Sequence, residues 1–447
     1  MQIAQVRLEE NFIVIPISFI EIQKALMSEN SAASSSGLLA NYAERYLPGA
    51  DIFNDKNAIG DTVTFYGRTQ LLQRLQEELI RYQGIGLLGI RKSGKTSILR
   101  HLQFSLREYP VVDIDLQPYG GKNLYGSEIF NQILTRLFSL LRMQDDSLRA
   151  DLSLDGSLPA KDSALKFVEK IAVLAAKLNK AKFKSPIICF FDELERIFPP
   201  PDASQEKIEE FNAFFGALRQ LSQQDKSLAF LIADVHPDFN RTNHWYETNL
   251  PTNPVYQFFK EVYIEPFSED ATVTMLAELG VFMGIKFEKE LLQKIHQMSG
   301  GHPFISRQIT SILKKKIGDC NYLELSSSQK ILDVILRDSN DLRSYFKNNI
   351  WGDLEKREFT CAIKAMIILA CNDLVKGVSE EKLREKLSNE FSENDCDESL
   401  SVLRDSGLIE NKDSTHRIII HLMANWIKRN LTKKEILQWH ICSETID

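Results

Sequence analysis

The chain is 447 residues long, enough for about two to four domains and a sizeable core. Hydrophobic residues make up 43% of it and charged residues 26%, an ordinary globular balance, and the net charge of −7 disfavours broad attraction to nucleic acid or anionic membrane. Its six cysteines (189, 320, 361, 371, 396 and 442) are scattered without a CxxC pair, which argues against a zinc site or a disulfide framework and fits a reducing, cytoplasmic setting.

The apolar run Phe12–Ile20 contains a proline and is far shorter than the roughly 20 residues that cross a bilayer, so it reads as a short buried strand. Its acidic leader does not resemble a signal peptide, and no membrane partner is expected. A helix follows at Ile20–Leu26, and then a small polar connector at 28–37. Residues 1–60 are therefore expected to form an adaptor segment and linker.

Residues 61–267 carry the pattern of an α/β core. The leucines at 71, 72, 75 and 79 recur at helical spacing, and Ile85–Ile90 reads as a buried strand. Gly89-Ile90-Arg91-Lys92-Ser93-Gly94-Lys95-Thr96 then fits G-x-x-x-x-G-K-[ST] without mismatch, and Ser97–Phe104 continues as an amphipathic helix. In this Walker A form, glycines at both ends let the loop wrap a phosphate chain with backbone N–H groups turned inward. The helix dipole is aimed at the same point. Lys95 is placed to reach the β- and γ-phosphates and Thr96 to ligate Mg²⁺, with Gly89 to Ser97 as the nucleotide-binding stretch. The side chains of Arg91 and Lys92 are expected at solvent.

Further strands are read at 111–116, 187–193, 228–234 and 261–266, with helices at 124–142, 163–179 and 204–223 and a polar, irregular insertion at 144–162. The alternating 111–116 strand suits an edge position. Five strands alternating with helices imply a parallel sheet with right-handed crossovers. Ile187–Glu193 is apolar until it ends in Asp192 and Glu193, the form of a buried strand delivering acids to its C-terminal edge. As the Walker B pair, Asp192 would hold Mg²⁺ and Glu193 would activate the attacking water. Asp234 ends the next strand, where it would sense the γ-phosphate if a cation or a proton offset its charge; a bond to a neighbouring loop is the alternative. Glu195 reads as one more exposed carboxylate, and Arg241 as a possible arginine finger in an oligomer.

After Pro266 the strands stop, and helices at 269–284, 288–298, 303–317 and 326–337 define a helical lid, 268–345. Gly300-Gly301-His302-Pro303 is its sharpest break; His302 either faces nucleotide or caps and packs the helix it opens. Residues 346–435 show helices near 354–371, 379–389 and 395–405, strands at 407–410 and 417–420, and a last helix at 422–431, which is winged-helix order. Residues 436–447 form a tail. The third helix would normally enter a DNA groove, yet Asp395, Asp397, Glu398 and Asp405 stand there against Arg404 alone. DNA as a partner is disfavoured on that ground, and a protein-facing or intramolecular role is preferred.

Phe65-Tyr66-Gly67-Arg68, the loop at 89–96, Phe190–Glu193, Glu265–Ser268, Gly300–Pro303 and the terminal winged helix together resemble prokaryotic AAA-like P-loop ATPases of the STAND class, relatives of the archaeal-ATPase and origin-recognition groups. Tyr46–Gly49 resembles their entry segment, and the resemblance spans roughly 45–432. It implies an ATP-dependent switch, closed by its winged helix with ADP and opened by ATP or a trigger, often with oligomerisation. In that class a winged-helix histidine touches the ADP β-phosphate, and His421 is the matching residue here. The expected ligands are ATP or ADP with Mg²⁺, and the expected partners are other proteins or further copies of the chain. No repeat-rich sensor follows the winged helix and no recognisable effector precedes the loop, so both are expected on partner proteins. The alternative function is a DNA-associated ATPase of initiator, transposition or helicase-loader kind.

Overall fold

Val, Ile, Leu and Phe runs too apolar to face water on either side form the inner strands of one sheet. A computed structural model describes residues 17, 19–27, 34–35, 38, 51–54, 65–141, 145–245, 252–318 and 322–430. Strands β1 (Ile85–Leu88), β2 (Val111–Asp115), β3 (Ile187–Asp192), β4 (Leu228–Asp234) and β5 (Lys260–Tyr263) lie in the order β2-β3-β4-β1-β5, every pair parallel. Every residue of β1 and β4 is buried, as is all of β3 except Asp192, which is what a sheet covered by helices on both faces requires. The alternating β2 sits at an edge, where half of it meets solvent, as its pattern predicted.

Helices Lys95–Ser105, Gly126–Leu140, Ala160–Lys180 and Gln205–Gln223 connect these strands. Aromatic rings fill much of the space between helices and sheet. Phe130 stacks on Phe167 at 4.0 Å and on Phe214 at 5.0 Å, and Phe191 of β3 meets Phe214 edge-on at 5.8 Å. The supposedly irregular stretch 144–162 contains a helix, Asp146–Leu152, whose first turn is capped by the Asp145 carboxylate accepting from the Leu148 N–H. The helix is too short for apolar periodicity to betray it.

The described residues divide into two compact units. One is Arg68–Gly89 with Lys95–Tyr263; the other gathers Ile90–Gly94, the residues from Ile264 onward and those up to Gly67. In the second unit, helices run at Glu269–Phe282, Lys289–Ser299, Pro303–Ile317 and Leu325–Asp338, close to expectation. Gly300 ends one of them in the left-handed conformation (φ +61°), and Gly301 (φ +73°) lets the chain pass so near that a Cβ there would meet the Phe267 carbonyl oxygen at 2.1 Å. The strands do not quite stop at Pro266, because Lys286–Phe287 and Tyr322–Leu323 form a two-residue parallel pair.

The expected helix at 354–371 is two pieces. A helix at 340–356 contains one π-helical turn, Phe346–Trp351, and a separate helix spans Thr360–Cys371, the break falling where Glu358 takes φ +56°. Helices Glu380–Ser388 and Glu393–Asp405 follow, then a small antiparallel sheet of Val378–Ser379, Thr415–Ile418 and Ile409–Lys412, in that order, and a helix His421–Asn430. The last two strands sit two residues away from the positions read in the sequence. Asp413 (φ +52°) and Ser414 (φ +56°) make a two-residue hairpin turn that fixes the register, without the Asn-Gly or Asp-Gly pair that usually announces one.

The connector at 28–37, the segment Tyr46–Gly49, the tail 436–447, Cys320 and Cys442 lie wholly or almost wholly outside the described residues, as does most of the expected strand at 12–20. Phe19 and Ile20, at the end of that stretch, open the helix Phe19–Leu26. Among the described residues no helix is long and apolar enough to cross a membrane.

Candidate nucleotide site

The loop after β1 is shaped by its own backbone. The Ser93 N–H donates to the Ile90 carbonyl at 3.2 Å and closes a tight turn, while Lys92 (φ +63°) and Gly94 (φ +105°) take left-handed conformations. Such alternation turns successive N–H groups toward one side, the form of an anion nest. At Gly94 the direction a Cβ would take is open, with no atom of the described residues beyond its chain neighbours within 4 Å. Lys95 and Thr96 open the helix Lys95–Ser105, and Ser97 is buried within its first turn.

The sheet unit brings the acids to these residues. Asp192 and Asp234 end neighbouring strands: Asp192 pairs with Ala233 across β3 and β4, and Asp234 pairs with Leu88 across β4 and β1. The Gly89 N–H donates to the Asp234 carbonyl at 3.3 Å, so the loop leaves the sheet beside that aspartate. The Thr96 hydroxyl donates to the Asp192 carboxylate at 2.7 Å, and the Lys95 ammonium donates to the Gly89 carbonyl at 2.6 Å. Burial pushes the Asp192 carboxyl above its ordinary range, against the opposing pull of the Thr96 hydroxyl and the Lys95 charge.

A hydroxyl and a half-buried carboxylate in contact are hard oxygen donors that suit Mg²⁺. That ion is usually held by one or two protein groups together with phosphates rather than by a full protein cage. Among the described residues no cluster of three or more His, Cys, Asp or Glu is arranged to hold a metal.

Glu193 adopts φ +60° and ψ +52°, an uncommon conformation for a residue with a side chain. Its N–H is held by the Ala233 carbonyl at 3.0 Å and by the Asp192 carboxylate at 3.1 Å. The Glu193 carboxylate accepts from Arg196 Nε at 2.9 Å, with both side chains about a third exposed. Arg196 escaped the sequence reading, and only its position three residues after Glu193 could have marked it.

Asp234 is 4% exposed and its Oδ1 accepts the Val235 N–H at 2.6 Å. Its carboxyl is raised well above the ordinary range by burial first and then by a hydrogen-bonded carboxyl partner, Glu195. Two carboxyls can hydrogen-bond only by sharing a proton. Glu195 is thus half-buried and engaged rather than one more exposed carboxylate, and the pairing shows how an acid can sit at this strand end without full negative charge. Arg241, read as a possible finger, is bound within the unit to Glu261 at 2.6 Å and to the Tyr263 hydroxyl at 2.8 Å.

The helical unit holds the middle of the loop. The Tyr345 hydroxyl donates to the Arg91 carbonyl at 2.7 Å and lies 3.0 Å from His302 Nε2. His302 caps the helix Pro303–Ile317, its Nδ1 accepting from the Ile305 N–H at 3.5 Å. The imidazole therefore reaches the loop through Tyr345. The exposed Lys92 ammonium lies over the Phe304 ring at 4.2 Å, while Arg91 is half-buried. His421 begins the helix His421–Asn430, and burial lowers its pKa, with Lys294 adding to the effect.

No protein-family model matches the chain, and no curated protein sequence does. Among solved structures it is similar to the Walker-type ATPase PABY2304 of Pyrococcus abyssi, with 18% identity and a TM-score of 0.56 over 84% of this chain and 99% of that one. The RuvB Holliday junction branch migration motor of Thermotoga maritima aligns over 86% of this chain and 98% of its own at 10% identity, but its TM-score of 0.37 is too low to carry an argument. The chain thus shares the fold of that Walker-type ATPase, with a parallel five-stranded α/β sheet and the loop 89–94 at the C-terminal end of β1.

Proposed function

We propose that the chain is a regulatory P-loop ATPase that binds ATP with Mg²⁺, hydrolyses it slowly, and uses the bound nucleotide as a switch of the STAND kind. The observation that carries this reading is the contact of the Thr96 hydroxyl with the Asp192 carboxylate at 2.7 Å, beside a loop whose Gly94 faces open space. In the proposed site the N–H groups of residues 90–94 surround the phosphates and Lys95 neutralises them. Thr96 and Asp192 hold Mg²⁺, which when bound offsets the charge that develops during phosphoryl transfer. Glu193 takes the proton of the attacking water, and Asp234, its charge reduced by the proton it shares with Glu195, stands at its strand end as the candidate γ-phosphate sensor.

In the proposed assembly, residues 268–345 act as a lid and 346–435 as a winged helix, with His421 the candidate for contact with the ADP phosphate. The acidic helix Glu393–Asp405 favours a protein or intramolecular surface over DNA; Asp397 there is paired with Arg384 at 2.7 Å. The partners proposed are further copies of the chain or other proteins.

The test is phosphate release and equilibrium ATP binding by the wild type, Lys95→Ala and Glu193→Gln. Lys95→Ala is expected to lose ATP affinity while keeping its far-ultraviolet circular dichroism. Glu193→Gln is expected to bind ATP and to hydrolyse it at least about 100-fold more slowly. Micromolar ATP binding by Lys95→Ala would remove the site, and equal rates in wild type and Glu193→Gln would remove the assigned base.

A further inference from the structure

We propose that Tyr345, oriented by His302, is a positioning residue for the phosphate loop, fixing the Arg91–Lys92 peptide so that the Lys92 N–H is presented to the anion. This rests on the loop's holding phosphate, as proposed above. A trans peptide carries its carbonyl and its N–H on opposite sides, and the bond between Arg91 and Lys92 is trans. Whatever grips the Arg91 oxygen therefore turns the Lys92 N–H away from itself. Tyr345 is that grip, at 2.7 Å.

The direction of each hydrogen bond follows from the groups available. Nδ1 of His302 accepts from the Ile305 N–H, so a neutral imidazole carries its proton on Nε2 and donates it to the Tyr345 oxygen. The Tyr345 hydroxyl then has one proton left, and it goes to the Arg91 carbonyl. Tyr345 and His302 are 2% and 5% exposed, so water does not compete for these bonds. Burial also drives the phenol pKa upward, which keeps it a donor at any physiological pH.

The surrounding structure holds Tyr345 in place. Its ring packs on Phe304 at 5.1 Å and on His302 at 5.6 Å. The single π-helical turn among the described residues begins immediately after it, at Phe346. Such turns are costly relative to α-helix and recur where a side chain must be aimed at a functional group. On the loop side, Lys92 takes φ +63°, a conformation that a non-glycine residue keeps only when its surroundings impose it.

The experiment uses the full chain and measures equilibrium binding of ATP and of ADP, together with the melting temperature of the nucleotide-free protein. Tyr345→Phe keeps the ring and removes the hydroxyl, and is expected to weaken ATP and ADP alike by about tenfold. Its melting temperature should move by no more than about 2 °C. His302→Leu should weaken binding in the same direction, whereas His302→Gln, which retains an N–H donor, should remain within about threefold of wild type. Because His302 acts through Tyr345, the double variant Tyr345→Phe/His302→Leu should bind no more weakly than Tyr345→Phe alone. Wild-type affinity in Tyr345→Phe, or losses that multiply in the double variant, would overturn the proposal. So would a loss of affinity accompanied by a proportionate loss of melting temperature, which marks a merely structural role. If the wild type itself bound neither nucleotide, the nucleotide reading would fail first, and the inference with it.

Discussion

Replacing Asp234 by asparagine should change how stability depends on pH, with a sign fixed by burial. In the folded chain the Asp234 carboxyl is raised well above its ordinary range, chiefly because it is buried and then because Glu195 is bonded to it, while the Val235 N–H and Lys95 oppose the shift. In the unfolded chain an aspartate titrates near a pH of about 3.9. The folded state thus binds the shared proton more tightly than the unfolded state does. The stabilisation is present in full below about pH 3.9 and is lost as pH rises through the raised folded value. Inside that window one group of this kind removes about 1.4 kcal/mol per pH unit. Asparagine preserves the shape and can donate to Glu195, but it has no proton to release. Asp192 is raised in the same sense and remains in the variant, so a residual slope persists. Urea unfolding of nucleotide-free, Mg²⁺-free protein from about pH 4 upward should therefore show Asp234→Asn gaining on wild type by about 1.4 kcal/mol per unit until the folded value is passed. Beyond that point the two curves should run parallel. Parallel curves over the whole range would refute a proton held between these two carboxyls.

Other outcomes follow from the same geometry. Asp192→Asn should bind ATP with little dependence on Mg²⁺, and calorimetric titration with and without the ion would show an unchanged dependence if the assignment were wrong. Phe191→Ala opens a cavity beneath Phe214 and Phe230 and should cost about 3–5 kcal/mol in urea unfolding. Gly301→Ala places a Cβ 2.1 Å from the Phe267 carbonyl oxygen and should lower the melting temperature, with no change counting against the close approach. Gly216→Ala, in the middle of the helix Gln205–Gln223 with nothing within 4 Å of the new Cβ, should instead stabilise by about 0.5–1 kcal/mol.

The strands of the sheet were legible because burial on both faces leaves a sequence no freedom to be polar. Ile187–Phe191 and Leu228–Ala233 could be read directly, and the first residue after each run had to mark the end of a strand at the ligand edge. The long helices were legible for the corresponding reason at a period of 3.6. Where the reading slipped, the cause was local and carried no period. The seven-residue helix Asp146–Leu152 rests on one cap, and the hairpin at Asp413–Ser414 uses two left-handed residues that are neither asparagine nor glycine. The π-helical turn at Phe346–Trp351 adds a residue to a helix without altering its composition.

Within the site the limit of legibility falls between identity and orientation. Lys95, Thr96, Asp192 and Glu193 were named by motif because phosphate and metal chemistry require those residue types at that spacing. Their partners were not. Glu195 and Arg196 lie on the single turn Leu194–Arg196 that follows the left-handed Glu193, and it is this turn that sends Glu195 to Asp234 and Arg196 back to Glu193. Had Glu193 kept ordinary helical or extended dihedrals, the next residues would project differently and both pairings, Glu195 with Asp234 and Arg196 with Glu193, would be lost. No propensity scale favours glutamate at positive φ, so the sequence gives no sign of the turn. The motif therefore names the groups proposed for the chemistry, while the backbone conformation of one residue decides which of the surrounding charges Glu195 and Arg196 meet.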